Sequence, residues 1–396
     1  MIWVSNPTNP TTKGGHRLTK FMNNNRITCE SEKLNFLSST GFSKAQRTVT
    51  HKRETMELGD AYERISGQEK SFRERKRFAK RAQRVKGCAS RLEFAKCGDC
   101  GHMKLKTGFF CGVRLCPMCA WRRSIRAFQN VKTVCHEACK QRKLRFVFLT
   151  LTVRNCKPDE FRQTMDHMMQ AWNRLTKYKR VQNAVIGWFR AFEVTRNNDK
   201  SSEWYGTLHP HYHVLIAVSP EYFSKKSKYI KQDEWAELWQ KALKVDYLPT
   251  VDIRAVKPKG KAKDAPNDGN DLVGGLLEST KYVTKSDDVL IRNEYKKVKR
   301  GRKTKLVADK QSGINEHETD EVVKVLDKAL RARKLHAYGG LLKEIWDKMH
   351  DAGELQDVET DSLDIQEKAC KCPACSSDMM DVAYLFLRKY GEYVEV

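Results

Sequence analysis

The sequence lacks long apolar runs. No stretch of about 18 apolar residues occurs within its 396 positions, which argues against a membrane-spanning helix. The opening MIWV is too short, and too soon interrupted by Asn6-Pro7, to serve as the apolar core of a secretory signal. We therefore expect a protein that stays in the cytoplasm and has no membrane partner.

Acidic residues are also scarce relative to basic ones. The chain has 49 Asp and Glu against 75 Lys and Arg, a net charge of +26. Such an excess favours a polyanionic partner, and nucleic acid is the first candidate. A membrane surface is the rival polyanion, but the sequence has no basic amphipathic helix with a bulky apolar face.

Thirteen cysteines are present, several of them in close pairs. A long chain without an export signal is a poor candidate for a disulfide framework, so reduced thiols and metal are the better interpretation. The pairs Cys97-x2-Cys100 and Cys116-x2-Cys119 predict a structural zinc site with four thiolate ligands, and Cys111 is a spare or alternative ligand. The site could act only as a folding staple, or its basic flank could also contact DNA.

A second cysteine cluster lies in the tail. Cys370, Cys372 and Cys375 form a weaker motif because no fourth ligand lies nearby in the sequence. A tail zinc site shared between chains is one possibility, and the role of the cluster stays open.

Hydrophobic periodicity predicts the central elements. Residues 145–153, 188–195 and 211–218 are expected strands, and a loop containing Asn197-Asn198-Asp199 could join the last two as a hairpin. Apolar residues recur at helical spacing over 161–178, which indicates core packing. Antiparallel strands with helices between them predict an α+β fold with a small antiparallel sheet and flanking helices.

Other parts of the chain are polar or strongly basic. Residues 1–70 show no sustained period and are expected to be largely flexible. Residues 71–86 carry eight Lys or Arg and suit either phosphate contact or a merely solvated helix. Residues 296–305 carry seven and are expected to form a solvated, phosphate-facing strip or linker. A helical period runs over 322–349, broken by Gly339-Gly340.

The string HPHYHVLIAV is the most informative part of the sequence for function. His211 and His213 point to one face of the expected strand and Tyr212 points to the other, so the two imidazoles could coordinate one divalent ion. Glu193, in the paired strand FEVT, could supply a third ligand, although a salt bridge on the sheet face is the plain alternative. One carboxylate with two imidazoles suits Mn²⁺ or, less ideally, Mg²⁺.

A second polar constellation follows in ESTKYVTKSDD. Over an expected helix at 276–285, Glu278, Tyr282 and Lys285 would stack on one face at i, i+4 and i+7. A phenol next to an ammonium and a metal-polarised phosphate could act as a nucleophile. Most tyrosines are structural, so the spacing alone leaves a core or surface role open.

In this order, FLTLTVRN, HPHYHVLIAV and KYVTKSDD resemble the three motifs of the HUH endonucleases, specifically the single-tyrosine Rep initiators of rolling-circle plasmids. FEVTRNN, KALRARKLHAYGG and CPMCAWRR also resemble the family's flanking sequence, so that the resemblance covers about residues 95–345. The long leader and the cysteine-bearing tail depart from the compact family pattern.

The resemblance implies a function for each motif. His211 and His213 match the paired metal ligands, Tyr282 the nucleophile that forms a 5′-phosphotyrosine, and Lys285 the lysine that supports the phosphate or metal site. Glu278 matches the carboxylate that activates water in termination. The expected partners are plasmid origin DNA, double-stranded and single-stranded, with a host helicase and a DNA polymerase that extends the released 3′-OH.

The expected organisation is a flexible basic leader (1–90), a zinc-binding module (91–125), an HUH domain of ferredoxin or RRM-like fold (140–290), a basic linker with a helical extension (291–350) and a tail (351–396). Two alternatives remain open. One is an HUH transposase or relaxase, and the other is a zinc-finger nucleic-acid binder without catalysis, which leaves the histidine pair unexplained.

Overall fold

The computed structural model of the chain describes residues 41–256, 283–301, 303–358, 365–366, 371–372 and 374–396. The helices of these ranges are α1 (Gly41–Gln68), α2 (Phe72–Gly87), α3 (Pro117–Gln141), α4 (Phe161–Leu175), α5 (Lys179–Ala184), α6 (Gln232–Leu243), α7 (Glu316–Leu330) and α8 (Leu341–Asp351). The strands are β1 (Arg91–Cys97), β2 (Met103–Gly108), β3 (Arg145–Thr152), β4 (Gly187–Arg196), β5 (Leu208–Val218), β6 (Val251–Ala255), β7 (Tyr295–Arg300), β8 (Lys303–Ala308), β9 (His336–Gly340), β10 (Ile365–Gln366), β11 (Met379–Leu387) and β12 (Glu392–Glu395).

The central sheet has the strand order β6-β3-β5-β4-β9, and each neighbouring pair is antiparallel. The strands expected at 145–153, 188–195 and 211–218 are β3, β4 and β5, and β4 and β5 form the expected hairpin. The α+β class with small antiparallel sheets is confirmed. None of the helices in the described ranges combines the length and apolarity needed to cross a bilayer.

Both faces of this sheet are buried. Along β3, Val147 and Leu149 belong to one apolar cluster, whereas Phe146 and Phe148 belong to another, as the two-residue period of a strand requires. Helices α4 and α6 pack together on the first face, and α3 and α8 on the second. The apolar stripe of α4 includes Met165, which is fully buried, so the core-packing interpretation of 161–178 is confirmed.

The segment before residue 70 differs from the expected flexible leader, because residues 41–68 form helix α1. Its apolar positions are few but occur at helical spacing: Leu58, Ala61, Tyr62 and Ile65 are all fully buried. This narrow stripe is surrounded by charge, which hid its period in the sequence. It packs against α2 and α7, and the tertiary contact supplies the stability that the local sequence lacks.

The basic stretch 71–86 is helix α2, and part of its charge is used internally. Asp327 of α7 is buried, where it accepts hydrogen bonds from Tyr62 at 2.9 Å, from Arg77 at 3.0 Å and from Arg81. Burial raises the pKa of Asp327 although the charge of Arg81 opposes the shift. These two arginines therefore hold helices together, a role that neither the phosphate-contact nor the solvated-helix interpretation of this stretch included.

A second sheet, ordered β10-β2-β1-β11-β12, joins the region around residue 100 to the carboxy-terminal strands. In it β1 pairs antiparallel with both β2 and β11, and Cys97 lies opposite Met379. The basic run at 296–305 is not a simple linker, because β7 and β8 pair as a two-stranded ribbon.

The helical period expected over 322–349 is interrupted by β9, which pairs with β4 at the edge of the central sheet. A Cβ on Gly339 would lie 2.1 Å from the Trp188 ring, and one on Gly340 would lie 2.3 Å from the carbonyl oxygen of Ile186. Gly340 also has a φ of +55°. Two glycines therefore let this edge strand approach β4 closely.

Candidate metal centre and active site

Strand pairing brings Glu193, His211 and His213 together. Glu193 of β4 lies directly opposite His211 of the central strand β5, and His213 follows two residues later on the same face. Their ligand atoms all lie within 4.8 Å of one another, and all three residues are buried. The three ligands expected from the sequence thus form one cluster that could hold a metal ion.

The imidazoles present the same nitrogen to the carboxylate. The Nε2 atoms of His213 and His211 lie 2.8 and 3.4 Å from Oε2 of Glu193. On the opposite side of each ring, Nδ1 of His211 lies 3.1 Å from the carbonyl oxygen of His209, and Nδ1 of His213 lies 3.4 Å from Oγ1 of Thr150. A Nδ1–H held in this way leaves the Nε2 lone pair for a metal, the usual support of a histidine ligand.

Lys285 completes the charge balance of this cluster. Its Nζ lies 2.8 Å from Oε1 of Glu193. Burial alone would raise the pKa of Glu193, but hydrogen bonds from His211 and His213 and the charge of Lys285 hold it well below its usual range. Glu193 is therefore an anion at neutral pH, as a metal ligand must be.

Residues 283–285, the described end of the helix expected at 276–285, are not helical. Lys285 itself has extended backbone angles and precedes a short 3-10 helix at Ser286–Asp288. The segment is anchored to the central sheet, because the backbone N–H of Val194 donates to the carbonyl oxygen of Val283 at 2.8 Å. Glu278 and Tyr282 lie outside the described residues, so their predicted position on one face with Lys285 is left untested.

Asp288 is a buried carboxylate near the site that periodicity did not single out. Its Oδ1 accepts the backbone N–H of Arg196 at 2.9 Å. Burial raises the pKa of Asp288 to about 6, and the charge of Glu193 adds to this shift. The only signal for Asp288 in the sequence was its place in KSDD, three residues after Lys285.

His209 shares the face of the two ligand histidines without joining the cluster. Its Nδ1 lies 2.8 Å from Oδ1 of Asn155, which comes directly after the strand motif FLTLTVR. Burial and the neighbouring His211 lower the pKa of His209 to about 4. It is thus a neutral hydrogen-bonding support for the strand end.

Tyr212 points to the other face, as the alternation of the strand predicts. Its ring packs against Trp172, Phe192 and Trp239, with centroid distances of 5.8 to 6.3 Å, and is fully buried. This aromatic core fixes the position of β5 and therefore the position of the histidines on its opposite face.

The zinc ligands chosen from the sequence do not form one site. The structure divides them: Cys116 and Cys119 lie with Cys88 and Cys111, whereas Cys97 and Cys100 lie in a different sheet region. The physical reason is chain direction, because β1 and β2 carry the first pair away from the start of α3, where the second pair is located. Cys111, the expected spare, is a member of the first cluster.

All four cysteines of this inner cluster (Cys88, Cys111, Cys116 and Cys119) are fully buried, and their sulfur atoms lie 3.5 to 3.7 Å apart in three recorded pairs. The ammonium of Lys52, also fully buried, donates to the carbonyl oxygens of Lys86 and Cys88 and to Oγ of Ser90. All three acceptors are uncharged. Burial lowers the pKa of Lys52, and the negative charge of nearby thiolates opposes this fall. A buried cation beside the cluster fits an anionic metal–thiolate centre.

The other two cysteines, Cys97 and Cys100, lie with Cys372 and Cys375 of the tail. In this outer cluster Cys97 and Cys100 complete a group of four with two cysteines of the tail motif, which lacked a fourth ligand in the sequence. Cys370 lies outside the described residues, and both clusters could hold a metal ion.

Comparison with known proteins finds a matching family and several relatives. The sequence profile of a family described as "Replication protein" matches residues 102–384. The chain is 38% identical over 319 residues to a "Protein rep" of Bacillus sp, covering 79% of this chain and 94% of that one. It is 36% identical over 294 residues to a "Protein rep" of Lentilactobacillus hilgardii, covering 74% and 81%.

A more distant relative is a "Replication protein" of Staphylococcus aureus, with 33% identity over 245 residues, or 61% of this chain and 88% of that one. Among solved structures, none matches this chain significantly.

Proposed function

The chain belongs to this family of replication proteins, and on that premise we propose that it initiates rolling-circle replication of a plasmid by nicking one strand at the origin. The observation that carries the proposal is the buried cluster of Glu193, His211 and His213 at the centre of the sheet, with Lys285 ion-paired to it. We assign this sheet to the HUH endonuclease fold on the basis of the paired histidines and their strand.

The cluster suits a hard or borderline divalent cation, and Mg²⁺ or Mn²⁺ is the proposed ion. When bound, such an ion would supply Lewis-acid stabilisation of charge on the scissile phosphate. The histidines would hold it through Nε2, since their Nδ1 atoms have supporting partners. Lys285 would balance the charge of Glu193 and help to orient the phosphate.

The proposed nucleophile is Tyr282. Its phenol oxygen would attack the scissile phosphorus, and the bond from phosphorus to the 3′ oxygen would break. The products are a 5′-phosphotyrosine and a free 3′-OH that can prime a polymerase. Tyr282 directly precedes Val283, whose carbonyl oxygen accepts a hydrogen bond from the backbone N–H of Val194, the residue after Glu193. This neighbour in the chain supports the assignment.

Termination requires a second cleavage, and we propose that Glu278 activates a water molecule for it. A general base next to the phosphate removes the need for a second tyrosine. The partners that follow from this cycle are origin DNA, in double-stranded and single-stranded form, a helicase and a DNA polymerase.

The exposed ribbon β7–β8 is the surface that we propose for DNA contact. Lys296, Lys297, Lys299 and Lys305 are exposed on it. A two-stranded ribbon fits the width of the major groove, and its lysines can neutralise phosphates. For the inner cysteine cluster we propose a structural Zn²⁺, because four buried thiolates form a closed site of the kind that zinc prefers.

One experiment separates this function from a non-catalytic nucleic-acid binder. Purified protein is incubated with a single-stranded origin oligonucleotide and Mn²⁺ or Mg²⁺, and a denaturation-resistant protein–DNA adduct is sought on a gel. We expect an adduct from the wild type and from the control Tyr229→Phe, an exposed tyrosine that is not part of the metal cluster.

We expect no adduct from Tyr282→Phe, which keeps the ring and removes only the hydroxyl. An adduct of wild-type yield from this variant would refute the assignment of the nucleophile. Replacing Glu278 with Ala should leave nicking largely intact and impair release of closed circles. A transposase or relaxase would instead join the cleaved end to a different DNA molecule.

A further inference from the structure

The outer cysteine cluster is built from two copies of one turn. In the first, the backbone N–H of Gly101 donates to the carbonyl oxygen of Cys97 at 3.1 Å, and that of Cys97 donates to the carbonyl oxygen of His102 at 2.8 Å. In the second, Ser376 donates to Cys372 at 2.8 Å, and Cys372 donates to Ser377 at 2.9 Å. The spacing and the hydrogen bonds of the two turns therefore correspond position by position.

The residue after the second cysteine is left-handed in both turns. Gly101 has a φ of +68°, which glycine adopts without strain. Ser376 has a φ of +61°, an uncommon conformation for a residue with a Cβ. Such a conformation persists only where its surroundings impose it. The tail turn thus follows the geometry of the first turn although its sequence does not favour that geometry.

The two turns face each other through their sulfur atoms. The Sγ distances are 3.4 Å for Cys97 to Cys375, 3.4 Å for Cys100 to Cys372 and 3.5 Å for Cys100 to Cys375. Four thiolates at about 2.3 Å from one zinc ion in a tetrahedron would lie about 3.8 Å apart, whereas a disulfide needs about 2.05 Å. The observed distances are near the first value and far from the second.

We propose that Cys97, Cys100, Cys372 and Cys375 bind a second Zn²⁺ that fastens the carboxy-terminal strands to the sheet around residue 100. The ion joins positions 272 to 278 residues apart in the sequence. It lies at the end of the β1–β11 pair, where Cys97 is opposite Met379. Loop closure over such a distance removes much conformational freedom from the unfolded chain, so the ion would stabilise this sheet substantially.

The two zinc sites differ in exposure. The inner cluster is fully buried, whereas Cys100 and Cys375 of the outer cluster are exposed. A chelator can therefore reach the outer ion without unfolding of the chain around it. The outer site is expected to lose its ion first.

Metal analysis of the full chain tests this proposal. The wild type is expected to hold two zinc ions, one for each cluster. The tail variant Cys372→Ser/Cys375→Ser is expected to hold one, as is Cys97→Ser/Cys100→Ser. The control Cys139→Ala, which alters a cysteine outside both clusters, should keep two. A tail variant with the wild-type zinc content would overturn the proposal.

A second measurement uses the wild type alone and so does not depend on the folding of a variant. The protein is treated with a chelator, and its cysteines are alkylated and identified by mass spectrometry over time. Cys97, Cys100, Cys372 and Cys375 should become modified together, before the inner four. Simultaneous modification of all eight, or isolation of disulfides in place of the outer thiols, would contradict a separate outer zinc site.

The test is independent of the nicking reaction. A Tyr282→Phe protein should retain both zinc ions whether or not that tyrosine is the nucleophile. A failure of the adduct assay with two zinc ions present would count against the proposed function alone, and one zinc ion with a normal adduct would count against the outer site alone.

Discussion

Replacement of Glu193 by Gln isolates the charge of the proposed metal ligand from its shape. The side chain is buried, with its two oxygens 2.8 Å from His213 and from Lys285. An amide fits the same space but brings a neutral ligand in place of an anionic one. Loss of even an outer-shell partner typically costs about 10–100-fold in metal affinity. We therefore expect at least that loss, which is at least about 1.4–2.8 kcal/mol of binding free energy.

The free energy of unfolding without metal should also fall, because the hydrogen bonds from His211 and His213 and the charge of Lys285 stabilise the Glu193 anion in the folded chain. The Lys285 side chain is 44% exposed, so solvent screens its attraction to Glu193 and limits the pair to about 1 kcal/mol or less. Removing the charge also removes the cost of burying it. The Mn²⁺ affinity is therefore compared under conditions in which urea titration shows that the variant is folded, so that lost affinity reports on the ligand and not on unfolding.

Affinity for Mn²⁺ can be measured by calorimetry, and unfolding by urea titration of the metal-free protein. Glu318→Gln is a matched control, since Glu318 pairs with Arg196 and Tyr205 close to the same hairpin but outside the cluster. Equal Mn²⁺ affinity in Glu193→Gln and the wild type would refute the ligand assignment. An equal loss in the control would show a general electrostatic effect instead.

Three further changes test other parts of the structure. Because the pKa of Asp288 is raised to about 6, the stability that comes from its bound proton is lost as pH rises from about 4 to 6. In urea unfolding, the free energy of unfolding of Asp288→Asn should therefore exceed that of the metal-free wild type by up to about 2–3 kcal/mol at pH 7.5, and should not exceed it at pH 4. Gly339→Ala should destabilise by about 1–3 kcal/mol in thermal unfolding because its Cβ would enter an indole ring on β4. The control Gly67→Ala, near the end of α1 and with open space around it, should be neutral or stabilise by up to about 1 kcal/mol. Lys297→Ala/Lys299→Ala should reduce the magnitude of the slope of log DNA affinity against log salt concentration by about 0.9 for each lost phosphate contact. An unchanged slope would contradict contact through the ribbon.

The sequence predicted those elements whose pattern is strong and local. Alternation in RFVFLTLTV and HPHYHVLIAV gave β3 and β5, and the turn residues after FEVTR gave the β4–β5 hairpin. Since strand side chains alternate, the shared face of His211 and His213 followed directly. The place of Glu193 beside them agrees with the expected pairing of these two strands as a hairpin.

Other features depend on contacts between distant segments. Helix α1 has a narrow apolar stripe that is stable only against α2 and α7. The division of the cysteines depends on a tail strand, β11, that pairs with β1 across nearly the whole chain. Spacing alone joined the two nearest CxxC pairs, whereas the fold joins each pair to cysteines that no local motif connects to it.

The distribution of positive charge illustrates the same limit and bears on DNA binding. The basic runs at 71–86 and 296–305 look equivalent in the sequence. In the structure, however, Arg77 and Arg81 of the first run form salt bridges with the buried Asp327. Replacing them would disturb the packing of α2 against α7, and any loss of DNA binding would then reflect unfolding. The ribbon lysines Lys297 and Lys299 are exposed, so their replacement changes charge without changing the core. A DNA-binding surface on this protein is therefore better identified from exposure than from the density of Lys and Arg in the sequence.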